Sequence, residues 1–221
     1  MGWTVMRYSE TECQGVPTLR SMFKDAMKTF KSTFYGYANG DILFNEGILD
    51  TLTSLRNSSI LKNSKDGKIM LIGKRADILL DRFRVENISS YEYVNDLTLK
   101  GTMGNGYNED YFITTKNFPW NDIPEVVVGR TLYDNFLVYY SKFHLNATII
   151  DSSSSIFALH QKTTKRKKSY SHCNHFILRK HRQMKLSLIR KGNTECAPYE
   201  SRYNRHGKVV FYKRGLYTTD C

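Results

Sequence analysis

The sequence predicts an α/β fold in which helices cover both faces of a mixed, mostly parallel sheet. The spacing of apolar residues predicts a helix over residues 18–30, and the aromatic segment 33–38 after it predicts a strand. A second helical face at 48–55 and a buried strand at 68–73 repeat the alternation. Alternating helices and strands favour parallel pairing, with functional groups at the carboxyl ends of the strands.

Later segments show the same patterns and extend the predicted sheet. They comprise strands at residues 110–114, 147–150, 156–159 and 208–212, helices at 131–143 and 174–190, and a serine run at 152–155 between two of the strands. The pattern becomes irregular after Gln161, where basic residues accumulate. We therefore divide the chain into a core at residues 1–161 and a basic C-terminal extension at 162–221.

The composition is that of a folded protein without a membrane-spanning segment. Of the 221 residues, 40% are hydrophobic and 13% aromatic, which excludes a largely disordered chain. The sequence has no run of about 18 apolar residues that would span a membrane, and its first residues lack the apolar stretch of a signal peptide. We expect a Golgi or secretory location if a longer form carries an N-terminal anchor, and a cytoplasmic location otherwise.

The cysteines and the glycosylation triplets leave the compartment open. No two of the four cysteines form the Cys-x-x-Cys pair that is typical of zinc sites, because all of them are widely spaced: Cys13, Cys173, Cys196 and Cys221. Three Asn-x-Ser/Thr triplets begin at Asn57, Asn87 and Asn146. They are glycosylation acceptors only if the chain enters the secretory pathway.

The basic charge makes a nucleic-acid-binding module the alternative from a different class of function. A net charge of +12 favours polyanionic partners such as nucleic acid, an acidic membrane surface or a nucleotide diphosphate. Much of the excess lies in the runs 162–168 and 179–182, although such runs are usually solvated loops. The same third of the chain contains tyrosines of the kind that stack on bases: Tyr170, Tyr199, Tyr203 and Tyr212.

Three polar residues stand at the ends of predicted elements. Asp41 lies in the turn Asn39-Gly40-Asp41 after the first predicted strand, where a carboxylate can hold a divalent cation. Asp134 lies in the first turn of the helix at 131–143, and His160 ends a predicted strand. Each residue also has a purely structural interpretation, as a helix cap, a charge at a helix end or a satisfied polar side chain.

The segments around these residues resemble those of GT-A-type glycosyltransferases. Phe34–Phe44 is similar to the strand and turn in which an Asp-x-Asp or Asn-x-Asp motif holds the cation of a nucleotide-sugar. Val127–Asn135 resembles a Gly-Arg-x-x-Trp/Tyr-Asp-Asn motif in an uncharacterised eukaryotic group of nucleotide-diphospho-sugar-transferase-like proteins. Ala147-Thr148 and Ile156–Gln161 are similar to that group's later strand pair ending in His-Gln, so the likeness covers about residues 14–161.

The resemblance implies a GT-A-like, Rossmann-like fold that transfers a sugar from a nucleotide-sugar donor to an acceptor hydroxyl. It also implies a bound Mn²⁺ or Mg²⁺. Asp41 would be the main metal ligand, Asn39 a weaker neighbour, and His160 a late contact to the metal or the diphosphate. The N-terminal part of such a fold is expected to be incomplete here, because too little chain precedes Gly15 to form its first strand and helix.

Further site residues complete the expected mechanism. Asp134 would be the base that deprotonates the acceptor hydroxyl if the reaction inverts the sugar's configuration, and retention is the alternative. The motifs imply that Arg130 and Asn135 contact the nucleotide-sugar. Lys74 and Arg75 follow a predicted buried strand and are expected to contact phosphate because of their charge.

Two departures from the family pattern support a further alternative, a non-catalytic remnant of the transferase fold. Asn39 replaces the first aspartate of the metal motif and removes one negative charge from the site. Asn146 stands where the related sequences commonly carry aspartate.

Overall fold

The structure is a computed structural model that describes residues 4–79, 90–162, 172–181, 185–215 and 221. Several features singled out in the sequence lie outside these residues. They are the triplet at Asn87, most of the basic run 162–168, Tyr170 and Arg182.

The described residues form the following elements. The strands are β1 (Thr11–Glu12), β2 (Val16–Pro17), β3 (Phe34–Ala38), β4 (Ile42–Phe44), β5 (Ile69–Ile72), β6 (Arg75–Leu79), β7 (Thr102–Met103), β8 (Tyr111–Thr115), β9 (Thr148–Ser154), β10 (Ala158–Lys162), β11 (Tyr199–Tyr203) and β12 (Val209–Lys213). The α-helices are α1 (Leu19–Thr29), α2 (Gly47–Asn57), α3 (Ser59–Asn63), α4 (Tyr91–Lys100), α5 (Tyr133–Phe143) and α6 (Cys173–Lys180). None of the helices in these ranges is both long and apolar enough to cross a membrane.

Two mixed sheets form the centre of the α/β fold. The larger has the strand order β12-β11-β9-β5-β8-β3, and the smaller has the order β4-β10-β6-β7. Among the described strands, three neighbouring pairs are parallel and six are antiparallel, so the expectation of a mostly parallel sheet is wrong. The reason is that β8 inserts between β3 and β5 and pairs antiparallel with both, so these two strands share a direction without being neighbours.

Three chain segments cross from the larger sheet into the smaller one. Strand β3 continues into β4, β5 into β6, and β9 into β10, each after a short bend. The bend after β5 begins at Gly73, where an added side chain would collide with the Tyr111 hydroxyl. Because β3, β5 and β9 run in the same direction, their bends meet at one end of the larger sheet.

The hydrophobic core lies on both faces of β5, and all four of its residues are buried. Met70 and Ile72 face a cluster that includes residues of α1 and α5. Ile69 and Leu71 face the opposite way, against α2 and the start of the smaller sheet. A strand buried on both faces reads as a continuous apolar run, which is why its position was predictable.

Most strongly periodic segments fold as predicted, and two weaker predictions are wrong. The helix at 18–30 is α1, whose N-cap Thr18 accepts a hydrogen bond from the backbone N–H of Ser21. The serine run does not separate two strands, because Ser152–Ser154 belongs to β9. The predicted helix at 174–190 ends at Lys180, and residues 186–191 form a 3₁₀ helix.

The serine run was misleading because two of its hydroxyl-bearing residues are buried. Ser155, at the end of the run, places its Oγ 2.9 Å from Thr51 Oγ1 and 2.6 Å from Ser201 Oγ. Ser152 is also fully buried, and its Oγ has no hydrogen-bond partner among the described residues. Small side chains fit a sheet interior, whereas solvent-exposed serines favour a loop.

The C-terminal strands extend the larger sheet across the predicted boundary at residue 161. Strand β11 pairs parallel with β9, and β12 pairs antiparallel with β11 at the sheet edge. Arg214, just after β12, pairs with Asp151 of β9 at 2.5 Å and with Glu200 of β11 at 3.2 Å.

All four cysteines form disulfides. Cys13, in the turn between β1 and β2, is bonded to Cys173 at the start of α6, with 6.2 Å between their Cα atoms. Cys196 is bonded to Cys221, with a Cα–Cα distance of 5.4 Å. The two bonds close loops of very different size, since the cysteines are 160 and 25 residues apart.

We predict that opening either disulfide lowers stability, and that the bond closing the larger loop contributes more, because the chain entropy that it removes from the unfolded state grows with the logarithm of loop length. This relation gives about 5 kcal/mol for Cys13–Cys173 and about 3.5 kcal/mol for Cys196–Cys221. Urea unfolding of the variants Cys13→Ser/Cys173→Ser and Cys196→Ser/Cys221→Ser measures both values. Equal stability of the wild type with and without reductant would contradict the pairing, and a variant lacking all four cysteines is the reductant-insensitive control.

Candidate active site

Most of the sequence-predicted site residues lie where the three bends meet, and Arg130 is the exception. Asn39 follows β3, Arg75 begins β6 directly after the bend at Gly73, and His160 lies in β10. Asp134 lies in the first turn of α5, and Tyr133 beside it reaches Asn39. The candidate site therefore lies at the carboxyl ends of β3 and β5.

Asn39 connects three elements through one carboxamide. Its Nδ2 donates to Asp110 Oδ1 at 2.9 Å, and its backbone N–H donates to the Asp110 carbonyl at 3.0 Å. Its Oδ1 accepts from the hydroxyls of Tyr37 at 2.7 Å and Tyr133 at 3.2 Å. Burial raises the pKa of Tyr37 to about 12 and that of Tyr133 well above its ordinary value, so both phenols stay protonated donors.

Arg75 links the two sheets because it pairs with one carboxylate in the smaller sheet and with another next to a strand of the larger sheet. It forms an ion pair with Asp110, which immediately precedes β8, and its Nε lies 3.1 Å from Asp77 Oδ1 in β6. Asp77 also accepts from Lys162 Nζ at 2.5 Å. Burial alone would raise the pKa of Asp77, but the hydrogen bonds from Lys162 and His160 and the charge of Arg75 outweigh burial and lower the pKa.

His160 bridges Asp77 and the predicted metal ligand Asp41. Its Nδ1 lies 2.7 Å from Asp77 Oδ1, and its Nε2 lies 3.2 Å from Asp41 Oδ2. The two carboxylates differ in their surroundings, because 16% of the Asp77 side chain is exposed against 50% of Asp41. His160 therefore has a largely enclosed partner on one side and a half-exposed partner on the other.

Asp134 is a partly buried carboxyl at the start of α5. Burial raises its pKa to about 6, although backbone N–H groups of Asn135 and Asp134 and the charge of Arg75 act in the opposite direction. The Asn135 side chain fixes this helix start by donating from Nδ2 to the Gly192 carbonyl at 2.8 Å and to Glu109 Oε2 at 3.3 Å. An added side chain at Gly192 would collide with the Asn135 carbonyl, so the two backbones approach closely.

Glu109 is a site residue that the sequence interpretation missed. It is fully buried, and burial together with the charges of Asp134 and Asp151 raises its pKa well above the ordinary value. Within the described residues, Glu109 Oε1 has no hydrogen-bond partner. Burial and the neighbouring negative charges both favour the neutral form of this carboxyl over its charged form.

The other two basic residues predicted to contact phosphate or the nucleotide-sugar, Lys74 and Arg130, lie at different distances from the network around Arg75. The Lys74 backbone N–H donates to Ser153 Oγ at 2.8 Å, and its Nζ lies 3.9 Å from Glu195 Oε1, at the edge of the site. Arg130 Nη1 donates to the carbonyl of its own neighbour Gly129 at 3.1 Å. Across the described residues, Arg130 makes no hydrogen bond or ion pair with the network around Arg75.

The sequence contained a weak signal for the missed carboxylates. Glu109 directly precedes a predicted strand and Asp110 begins it, and Asp151 directly follows the apolar pair Ile149-Ile150 in β9. An acidic residue inside or beside a buried strand needs a partner there, so such a residue indicates an internal ion pair or hydrogen bond. The partners themselves, Arg75 and Arg214, were not identifiable without the fold because they are 35 and 63 residues away.

No preformed metal cage accompanies the network. Across the described parts of the chain, no group of three or more His, Cys, Asp or Glu side chains is arranged to hold a metal ion. Asp41 and His160 remain the two predicted ligands that lie next to each other. Comparison of the chain with protein-family models, with curated proteins and with solved structures finds no match.

We predict that Asn39→Asp destabilises the fold by about 1–3 kcal/mol at neutral pH. The substitution removes the donor to Asp110 and places two carboxylates together. Urea unfolding at pH 7.5 and pH 4 tests this, because protonation of one carboxyl at the lower pH reduces the loss.

Asn204→Asp is the matched control for this substitution. Asn204 uses only its Oδ1, which accepts from the backbone N–H groups of His206 and Lys208, so aspartate retains both bonds. An equal loss of stability in both variants would contradict the role of the Asn39 amide.

We predict that Asp134→Asn stabilises the fold above pH 6 and not below pH 4. The folded-state pKa of about 6 exceeds the ordinary 3.8, so the wild type loses stability as pH rises through this window. The uncharged amide avoids the loss, which amounts to about 1–3 kcal/mol. Urea unfolding across pH 4–8 measures the difference, with the exposed Asp96→Asn as control, and a pH-independent difference would be the contrary result.

Proposed function

We propose that this protein binds a nucleotide-sugar together with a divalent cation and transfers the sugar to an acceptor hydroxyl. The observation that carries the proposal is the chain of contacts from Asp77 through His160 to the half-exposed Asp41. Asp134 belongs to the same region, because the charge of Arg75 acts on its pKa. A carboxylate and a histidine that can hold a cation, together with a carboxyl that can accept a proton, are groups that such a reaction uses.

The pair Asp41 and His160 fits a cation that is bound jointly with a diphosphate. Asp41 Oδ2 and His160 Nε2 are separated by 3.2 Å and would hold the cation together. Mg²⁺ is usually held by one or two carboxylates plus substrate phosphates and water rather than by an all-protein cage. A bound cation of this kind would neutralise charge that develops on the diphosphate leaving group.

Asp77 supports this assignment from behind His160. A metal-bound histidine usually donates its other ring N–H to a carboxylate, which fixes the ring orientation. Asp77 Oδ1 lies 2.7 Å from His160 Nδ1, and Lys162 and Arg75 hold Asp77 in turn. This arrangement leaves Nε2 as the nitrogen that faces Asp41.

Asn39 has a supporting role in this proposal. Its carboxamide oxygen already accepts hydrogen bonds from two phenols, and its nitrogen donates to Asp110. Asn39 therefore fixes the turn that presents Asp41 rather than supplying a free ligand.

Two further groups complete the proposed mechanism. Lys74 Nζ is only loosely paired with the exposed Glu195, so it is free to turn towards a phosphate oxygen. Asp134, with a pKa of about 6, is largely deprotonated at pH 7 and still basic enough to take the proton of an acceptor hydroxyl. Asn135 holds Asp134 in position through its bonds to Gly192 and Glu109.

We predict that nucleoside diphosphates raise the melting temperature only together with Mn²⁺. A ligand at about 100 times its dissociation constant adds about 2.7 kcal/mol, which corresponds to about 5–10 °C for a protein of this size. A thermal-shift screen of nucleoside diphosphates, each with and without Mn²⁺, measures this effect. Asp41→Asn and His160→Ala should abolish the metal-dependent part.

The exposed Asp96→Ala in α4 is the matched control, and it should behave as the wild type. No shift with any diphosphate, or an undiminished shift in Asp41→Asn, would refute the proposed function.

A further inference from the structure

Two of the three Asn-x-Ser/Thr triplets lie in the described residues, and the asparagine of each is exposed. Asn57 is the last residue of α2. Asn146 follows α5 in the left-handed backbone region, with φ 53°, a conformation that asparagine tolerates better than most residues. An N-linked glycan is bulky and needs an asparagine on the surface, and both positions meet this requirement.

The buried asparagines contrast with these two. Asn45, Asn174 and Asn193 are almost fully enclosed, and their amides make internal hydrogen bonds. None of the three begins an Asn-x-Ser/Thr triplet. Within the described residues, the Asn-x-Ser/Thr triplets therefore begin at exposed asparagines and not at those whose amides form hydrogen bonds in the core.

Both exposed triplets also lie at the end of the sheet away from the candidate active site. Thr148, the third residue of one triplet, pairs with Ile69 at the start of β5. Asp151, which pairs with Ile72 near the site, is three residues further along β9, or about 10 Å. Attachment to Asn146 therefore leaves the site open.

Asn57 is also distant from the candidate active site. Helix α2 begins at Gly47, which packs against the backbone of Ser155 at the bend after β9. Its 11 residues carry the chain about 15 Å away from that bend before Asn57 is reached. Asn57 is therefore separated from the bend at which the candidate site lies by the length of α2.

The disulfides are an independent observation about the compartment. All four cysteines are paired, and one bond joins residues that are 160 positions apart. Disulfides form and persist in the oxidising compartments of the secretory route, where Asn-x-Ser/Thr triplets are also modified.

We infer that Asn57 and Asn146 are N-glycosylation sites of a chain that folds in the secretory pathway. In the modification, C1 of an oligosaccharide moves from a lipid-diphosphate donor to the asparagine Nδ2. The C1–O bond to phosphate breaks, the C1–N bond forms, the lipid diphosphate leaves, and the amide loses one proton. This inference does not depend on the proposed sugar-transfer activity.

Peptide mass spectrometry of the full chain isolated from the cells that produce it tests the inference. Enzymatic deglycosylation in heavy-oxygen water should convert Asn57 and Asn146 to labelled aspartate, and non-reduced peptides should contain Cys13 linked to Cys173. An unmodified asparagine overturns the assignment at that position, and two unmodified asparagines overturn the inference.

Paired variants confirm the sites without disturbing the asparagines. Ser59→Ala and Thr148→Val remove the hydroxyl that each triplet requires, so each variant should lose one glycan on a denaturing gel. Ser59→Thr and Thr148→Ser keep the triplets and should retain both glycans. Loss of a glycan in either conservative variant, or its retention in either disruptive one, would contradict the assignment.

Discussion

The double ion pair of Arg75 is the constraint on which the site depends. One carboxylate partner, Asp110, belongs to the approach to β8 in the larger sheet, and the other, Asp77, lies in the smaller sheet. Only 15% of the Arg75 side chain is exposed, and without its charge the buried Asp110 carboxylate would lack its ion-pair partner, which would destabilise the fold by about 3–5 kcal/mol. The same two carboxylates hold Asn39 and His160, and the bend between the sheets thus becomes a rigid support for polar groups.

The contacts of Arg75 and Asp110 explain why the turn Asn39-Gly40-Asp41 carries asparagine at its first position. The neighbour of Asn39 is Asp110, whose charge is already balanced by Arg75, and a second carboxylate there would lack a donor. An amide supplies both a donor for Asp110 and an acceptor for two buried phenols. The lower charge of the turn is therefore a consequence of the packing around it, and the negative charge that faces solvent is that of Asp41.

At the start of α5, by contrast, a charged group lowers the stability of the folded state. Asp134 is placed where burial raises its pKa to about 6, which is unfavourable for the folded state at neutral pH and useful for a base. Burial and the charge of Asp134 also raise the pKa of Glu109, whose Oε2 accepts a hydrogen bond from Asn135 Nδ2. Strain of this kind is tolerated where a surrounding core fixes the groups, and here α5 packs directly on the larger sheet.

The sequence by itself determined the elements with strong periodicity, among them α1, β3, β5 and α5, because their patterns depend on neighbouring residues alone. It also placed Asp41 in the turn after β3 and Asp134 in the first turn of α5, which are local properties, whereas His160 was expected at a strand end and lies in the middle of β10. Only the tertiary structure decided that β8 separates β3 from β5, that Glu109 lies beside Asp134, and which cysteines pair. Each of these features brings together residues that are far apart in the chain. Which residues meet depends on how the two sheets and their helices pack.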